Sequence, residues 1–93
     1  MIVKEIESPQ GIILVLTDDV LLNKKFVENK KMLNFTVQFY QGEKKEVSKE
    51  MLNGCHIIHA SGDKSIQFLI NNGVCDEKDV KNIAGVKHIE IIQ

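Results

Sequence analysis

The segment Ile12–Leu16 is the longest uninterrupted apolar run in this 93-residue chain. A short apolar run of this kind predicts a strand that is covered on both faces, at the centre of a sheet. The preceding segment Ile2–Ile6 predicts an edge strand, and Pro9 and Gly11 lie in the turn between the two. The chain therefore begins with a predicted β-hairpin, around which the remaining elements are arranged.

The rest of the chain predicts helices and strands in alternation, within a single domain over residues 1–93. Periodicity and turn residues predict helices over 18–27, 43–53, 63–72 and 76–84, a polar loop over 29–34, and strands over 35–39, 56–60 and 87–92. In the first of these strands Phe35, Val37 and Phe39 are predicted to point inward. The predicted order is ββαβαβααβ, which indicates an α/β or α+β fold with a mixed sheet of about five strands and helices covering at least one face.

Composition excludes several classes of protein. The formal net charge is −1, and Ile12–Leu16 is far shorter than the roughly 20 apolar residues of a transmembrane helix. Glu5 and Glu7 stand where a signal peptide would have its apolar core, and two cysteines do not make a secreted disulfide framework. We therefore expect a cytoplasmic protein with no membrane partner.

The charges are unevenly distributed. Residues 23–49 carry seven lysines against three glutamates, whereas the segments on either side are acidic. The chain has no arginine, which lowers the expectation of sequence-specific readout of nucleic acid bases. The lysine-rich segment is either a solvated surface or a patch that faces an anionic partner such as RNA. The predicted patch consists of Lys24, Lys25, Lys30, Lys31, Lys44 and Lys45, with Tyr40 as an aromatic contact.

Two carboxylates follow the central strand directly. Asp18 and Asp19 would lie at its carboxyl end, where open α/β sheets place ligands, and could hold Mg²⁺ with help from polar groups nearby in the fold. The candidate helpers are Ser61, Lys64 and Ser65. The alternative is that one of the two aspartates caps a helix.

Other combinations of residues are weaker. Cys55-His56-x-x-His59 lacks zinc-ligand spacing, because His56 and His59 would point to opposite faces of a strand. A nucleophilic Cys55 would need a third orienting group that the sequence does not show. Asp63 argues against a phosphate site at the helix start Ser61-Gly62. The sequence predicts neither a metal site nor a cofactor.

Four motifs occur in order along nearly the whole chain: Asp18-x-x-Leu21-Leu22-x-Lys24-x-Phe26-x-Glu28, Phe39-Tyr40-x-Gly42-Glu43, Gly62 at a helix start, and Ile83-x-Gly85-Val86-x-His88. Through these four motifs the chain resembles domain-of-unknown-function family 424, a family of short archaeal proteins. Asn23 and Lys87 stand where that family commonly has Gly and Pro. The resemblance carries no established activity, substrate or cofactor, and it associates the chain with translation and ribosome biogenesis.

The motifs add Gly42, Glu43, Gly62 and His88 to the candidate binding residues. The structural alternatives are that Tyr40 packs on a helix and that the His88 ring bonds a backbone carbonyl to fix a turn. Our leading hypothesis is a non-enzymatic module that binds RNA, the ribosome or a translation-related protein. The first alternative is a small enzyme whose cleft includes Asp18 and His88. A homo-oligomeric subunit that covers an exposed edge strand is the second alternative.

Overall fold

Two sheets are present in the computed structural model, which describes residues 1–43 and 45–93. The larger sheet has five strands, and the smaller is a two-stranded ribbon. The strands are β1 (Ile2–Ser8), β2 (Gly11–Thr17), β3 (Lys25–Glu28), β4 (Lys31–Asn34), β5 (Ile57–Ser61), β6 (Lys81–Ile83) and β7 (Val86–Ile92). The α-helices are α1 (Val37–Tyr40), α2 (Lys49–Gly54) and α3 (Asp63–Asn71).

The large sheet has the order β1-β2-β5-β7-β6, and only the β2–β5 pair is parallel. The predicted N-terminal hairpin is confirmed, with β1 at the edge. The predicted fold class, an α/β arrangement with a mixed sheet of five strands, is confirmed as well. Leu14, Val15 and Leu16 are all at most 2% exposed although they alternate between the two faces, as the apolar run predicts for a central strand.

Helices α2 and α3 cover one face of the sheet, which we call the helical face. The main core lies between these two helices and the sheet. Its buried members include Leu14, Leu52, Ile58, Ile66 and Leu69. No helix of the described residues is long and apolar enough to span a bilayer. The predicted helix over 63–72 and the predicted strands over 56–60 and 87–92 correspond closely to α3, β5 and β7.

The segment that follows β2 lies over the opposite face, which we call the open face. It contains a 3₁₀ turn at Asp19–Leu21, the β3–β4 ribbon and the one-turn helix α1. A second apolar cluster forms here from Leu21, Leu33 and Phe35 together with Val86 of β7. The ribbon contacts β6, so it lies at that edge of the large sheet.

The predicted helix over 18–27 and the predicted loop over 29–34 are wrong. Asn23 adopts a left-handed backbone (φ 65°), which ends the 3₁₀ turn and prevents a helix from continuing. Lys25–Glu28 then pairs with Lys31–Asn34, and Asn29 takes the left-handed conformation in the turn between them. The β-branched and aromatic residues of β3 fit this ribbon better than a helix.

The predicted strand over 35–39 is also wrong. Phe35 is fully buried and still pairs with the ribbon through its N–H, which donates to the Lys24 carbonyl at 2.9 Å. The chain then turns into α1 at Val37, and this turn leaves Phe39 47% exposed instead of pointing inward.

Two further predicted helices are shorter than expected or absent. In place of a helix over 43–53, α2 covers only Lys49–Gly54, because the Ser48 hydroxyl caps it by accepting a hydrogen bond from the Met51 N–H. In place of a helix over 76–84, a 3₁₀ turn at Glu77–Asp79 leads into β6. In the observed order β3 therefore stands in the first predicted helix, β4 in the predicted loop over 29–34 and β6 in the last predicted helix.

The chain passes from the open face to the helical face around the β1 edge, at Gly42. Glu43 forms a β-bridge with Val3, through hydrogen bonds of 2.8 and 2.9 Å between their backbones. A Cβ atom at position 42 would overlap the Val3 carbonyl, with the carbonyl carbon at 2.8 Å. Glycine is therefore required where the chain crosses the sheet edge.

We predict that Gly42→Ala lowers the free energy of unfolding by about 1–3 kcal/mol, because the new methyl group must push backbone atoms apart. Urea denaturation measures the change. Gly54→Ala is the matched control: a Cβ there meets nothing within 4 Å, so this variant should match the wild type. Equal stability of all three proteins would contradict the assignment of Gly42.

Candidate functional site

Asp18 connects the end of β2 to the start of α3. Its carboxylate accepts hydrogen bonds from the Lys64 N–H (2.9 Å), the Ser65 N–H (2.8 Å) and the Ser65 hydroxyl (2.8 Å). Its own N–H donates to the Ser61 carbonyl at 3.0 Å, and the residue is 6% exposed. Asp18 therefore caps α3, a helix distant in sequence, and does not cap the 3₁₀ turn that follows it. With both oxygens engaged, this carboxylate is poorly suited to holding Mg²⁺.

Gly62 makes this close approach possible. It is the N-cap residue of α3, with φ at 101°, and a Cβ atom there would overlap the Asp18 side chain. Asp63, the first residue of α3, is exposed and makes no capping hydrogen bond. The N-terminal N–H groups of α3 are thus taken by Asp18, which leaves no room for a phosphate at Gly62.

His88 lies in a polar group on the open face, next to the covered half of the sheet. Its Nδ1 is 2.9 Å from the Ser61 hydroxyl oxygen, and its ring is 5.2 Å from the His59 ring. His59 Nε2 is in turn 3.0 Å from a carboxylate oxygen of Glu90. The Thr17 hydroxyl and His59 Nδ1 are buried and have no hydrogen-bond partner among the described residues. His88 therefore bonds the Ser61 hydroxyl, whereas the structural alternative predicts a bond to a backbone carbonyl.

The surroundings of His88 disfavour its protonation. Burial lowers the pKa of His88, and the neighbouring His59 and Lys81 lower it further, while Glu90 opposes them. Ser61 is only 2% exposed, so its hydroxyl is out of reach of a substrate. The Ser61–His88 pair therefore fits a structural role better than that of a nucleophile and its base.

Three of the four motif positions lie close together. Asp18 touches Gly62, and Ser61, the residue before Gly62, bonds His88. The crevice beside Gly62 is lined by Asp18, Val20, Leu21, Gly62, Asp63, Gly85, Val86 and Lys87, so neither His88 nor Tyr40 lines it. This crevice therefore does not provide a cleft that contains both Asp18 and His88, which the enzyme alternative requires.

Tyr40, the predicted aromatic contact of the lysine patch, is partly buried in an aromatic cluster. Its ring packs 4.9 Å from Phe35 and 4.8 Å from Phe39, and burial raises the pKa of Tyr40. Gly42 and Glu43 form the crossing over the β1 edge. Lys4 lies over the Phe39 ring at 5.1 Å and donates to the Phe39 carbonyl, which fastens α1 to β1.

The predicted lysine patch divides into two places. Lys24, Lys25, Lys30 and Lys31 are exposed on or beside the β3–β4 ribbon; we call residues 24–34 the lysine ribbon. Lys45 instead pairs with Glu5 of β1 at 2.6 Å, at the opposite edge of the large sheet. The predicted contribution of Lys44 lies outside the described residues.

Both cysteines are free thiols. Burial raises the pKa of Cys55 and of Cys75, and the Cys55 thiol lies 3.2 Å from the Leu52 carbonyl. Across residues 1–43 and 45–93, no group of three His, Cys, Asp or Glu side chains is arranged to hold a metal ion.

Sequence reasoning predicts the lysines of the ribbon but misses the pairing of β3 with β4, and it also misses the capping of α3 by Asp18. The ribbon had a signal: Asn29-Lys30 separates Phe26-Val27 from Met32-Leu33, which is a hairpin pattern. The capping contact had none, because 46 residues separate Asp18 from Lys64.

We predict that Asp18→Ala lowers the free energy of unfolding by about 2–3 kcal/mol, because three buried donors lose their acceptor. Asp63→Ala, in the same first turn but without a capping bond, should change it by less than about 0.5 kcal/mol. Urea denaturation of both variants measures the difference, and equal losses would contradict the capping role of Asp18.

The lowered pKa of His88 makes stability depend on pH. Because this pKa lies below the ordinary value of 6.5, the unfolded chain binds the proton first. Stability is therefore complete above pH 6.5 and declines as the pH falls below it. Unfolding free energies at pH 7.5 and 5.5 should differ less in His88→Gln than in the wild type. A wild-type difference that survives in His88→Gln would refute this assignment.

Comparisons with known proteins agree with this fold. A crystal structure of an uncharacterized conserved protein from Methanopyrus kandleri superimposes with a TM-score of 0.83 at 19% identity, covering 97% of this chain and 88% of that one. At this identity the likeness shows the fold alone. No curated protein matches the chain. Residues 6–93 match the family described as protein of unknown function (DUF424), and the chain belongs to that family.

Proposed function

We propose that this protein is a non-enzymatic module that binds structured RNA in the cytoplasm through the lysine ribbon, in the setting of the ribosome. The observation that carries the proposal is the placement of four exposed lysines on one short β-ribbon that stands at the edge of the large sheet. The resemblance to a translation-associated family supports the choice of RNA among anionic partners.

The charges of the lysine ribbon are available to a partner. Among the described residues, the side chains of Lys24, Lys25, Lys30 and Lys31 make no ion pair. Glu28 is the acidic residue within the ribbon, where it lies opposite Lys31. Four lysines against one glutamate give this part of an otherwise near-neutral chain a local positive field.

The chemistry of the ribbon favours contact with phosphates over contact with bases. Lysine ammonium groups act as point charges on phosphate oxygens and lack the planar fork with which arginine reads guanine. Phe26, the aromatic residue of the ribbon, points inward to the second apolar cluster, so the ribbon offers no aromatic platform for unpaired bases. Helical RNA, whose backbone presents phosphates at regular spacing, is therefore the better fit.

The experiment is a salt titration of binding to a labelled RNA hairpin, followed by fluorescence anisotropy. With four lysines in contact, the logarithm of the binding constant should fall with the logarithm of salt concentration with a slope of about −3 to −4. The variant Lys25→Gln/Lys31→Gln should reduce the magnitude of that slope by about 2 and weaken binding to unrelated hairpins equally.

The matched control is Lys49→Gln/Lys78→Gln, which removes two exposed lysines from other elements. It should retain the wild-type slope if the ribbon is the binding surface. Equal effects of the two double variants, or a failure of the wild type to bind at low salt, would contradict the proposal.

A further inference from the structure

The outward face of the lysine ribbon carries two large apolar side chains. Val27 of β3 and Met32 of β4 form a cross-strand pair, and they are 58% and 55% exposed. The adjacent pair, Phe26 and Leu33, points to the other side and packs in the second apolar cluster. Polar residues usually occupy the solvent side of a strand pair that is covered on one side only. The apolar pair of the outward face therefore points to a contact with a partner.

The residues around this pair indicate the chemistry of the partner. Lys25 and Asn34 form the next pair on the same face, and Lys30 lies in the turn beyond the other end of the ribbon. Among the described residues, these two ammonium groups make no ion pair and the exposed Asn34 amide makes no hydrogen bond. The outward face thus combines free positive charges with an amide that both donates and accepts, around an apolar centre.

The minor groove of an RNA helix presents the complementary groups. This groove is wide and shallow, and it displays 2′-hydroxyls between two lines of phosphates. There, Lys25 and Lys30 can reach phosphates while Asn34 bonds a 2′-hydroxyl. Val27 and Met32 can pack on the C–H groups of the ribose rings. The minor groove of B-DNA is only about 6 Å wide and excludes a ribbon whose strands alone are about 4.8 Å apart.

We propose that the outward face of the lysine ribbon lies in the minor groove of an RNA helix and recognises its ribose surface. This proposal rests on the proposed function, which concerns the phosphate contacts of the lysines. It adds a part of the affinity that does not depend on salt, from Val27 and Met32. It also adds a preference for RNA over DNA, to which Asn34 contributes.

The salt titration with the RNA hairpin separates the two kinds of contact. Val27→Thr/Met32→Thr should weaken binding about tenfold at every salt concentration, because apolar contact area is lost. The salt slope should stay at its wild-type value, because the variant retains every phosphate contact. Val20→Thr/Ile92→Thr is the matched control: both residues are 69% exposed and lie outside the ribbon, so this variant should bind like the wild type.

A DNA hairpin of the same sequence tests the contact with ribose. At equal salt the wild type should bind it about fivefold more weakly than the RNA hairpin, because 2′-hydroxyl and groove contacts are lost. Asn34→Ala should reduce this preference and leave the salt slope unchanged. Circular dichroism checks that each variant is folded.

The outcomes distinguish this proposal from the proposed function. It is overturned, while the proposed function stands, if the wild type binds RNA with the expected slope but Val27→Thr/Met32→Thr binds equally tightly. Equal affinity of the wild type for RNA and DNA overturns it in the same way. A wild type that binds no RNA overturns both proposals.

Vesicles that contain phosphatidylserine are the last arm of the test, because lysines around an apolar pair also suit an anionic lipid surface. The wild type should not sediment with them. Sedimentation that is lost in Val27→Thr/Met32→Thr would assign the apolar pair to lipid and overturn the proposal.

Discussion

The capping of α3 by Asp18 is the interaction on which the arrangement of this fold depends. Asp18 directly follows β2, and the helix that it caps follows β5, the parallel neighbour of β2. One buried carboxylate therefore fixes two strands and the helix that covers them. Gly62 permits the contact, since any side chain there would overlap Asp18. A site that already uses its carboxylate in this way is structural, which favours a binding role for the molecule over catalysis at Asp18.

The parallel pairing of β2 and β5 also explains the shape of the rest of the surface. The chain between them must leave the sheet, and it does so over the open face before it crosses the β1 edge at Gly42. Residues 18–43 cover one half of that face and present the lysine ribbon beside β6. The other half carries Ile6, Ile13, Ile57 and Ile92, which are partly or largely exposed. The path of residues 18–43 thus places the lysine ribbon beside β6 and leaves an apolar surface on the other half of the open face.

Local sequence predicts the parts of this fold that local forces determine. The central strand at Ile12–Leu16 and the N-terminal hairpin follow from the apolar run and from the turn residues beside it. The four-residue strands of the lysine ribbon do not, because Phe26 lies at a helical spacing from Leu22, while the left-handed backbone of Asn23 between them prevents a helix. The candidate site was predicted in part: the ribbon lysines were identified, but the separation of Lys45 depends on its ion pair with Glu5.

The central claim is that the lysine ribbon is the surface that meets RNA. The most direct measurement is an NMR titration of the ¹⁵N-labelled full chain with an unlabelled RNA hairpin, which reports on each backbone amide. We expect chemical-shift changes concentrated over residues 24–31, with the amides of α2 and of Ile6, Ile13 and Ile57 unchanged. Changes centred on α2, on the crevice beside Gly62 or on Ile6, Ile13 and Ile57, or no changes at low salt, would contradict the central claim.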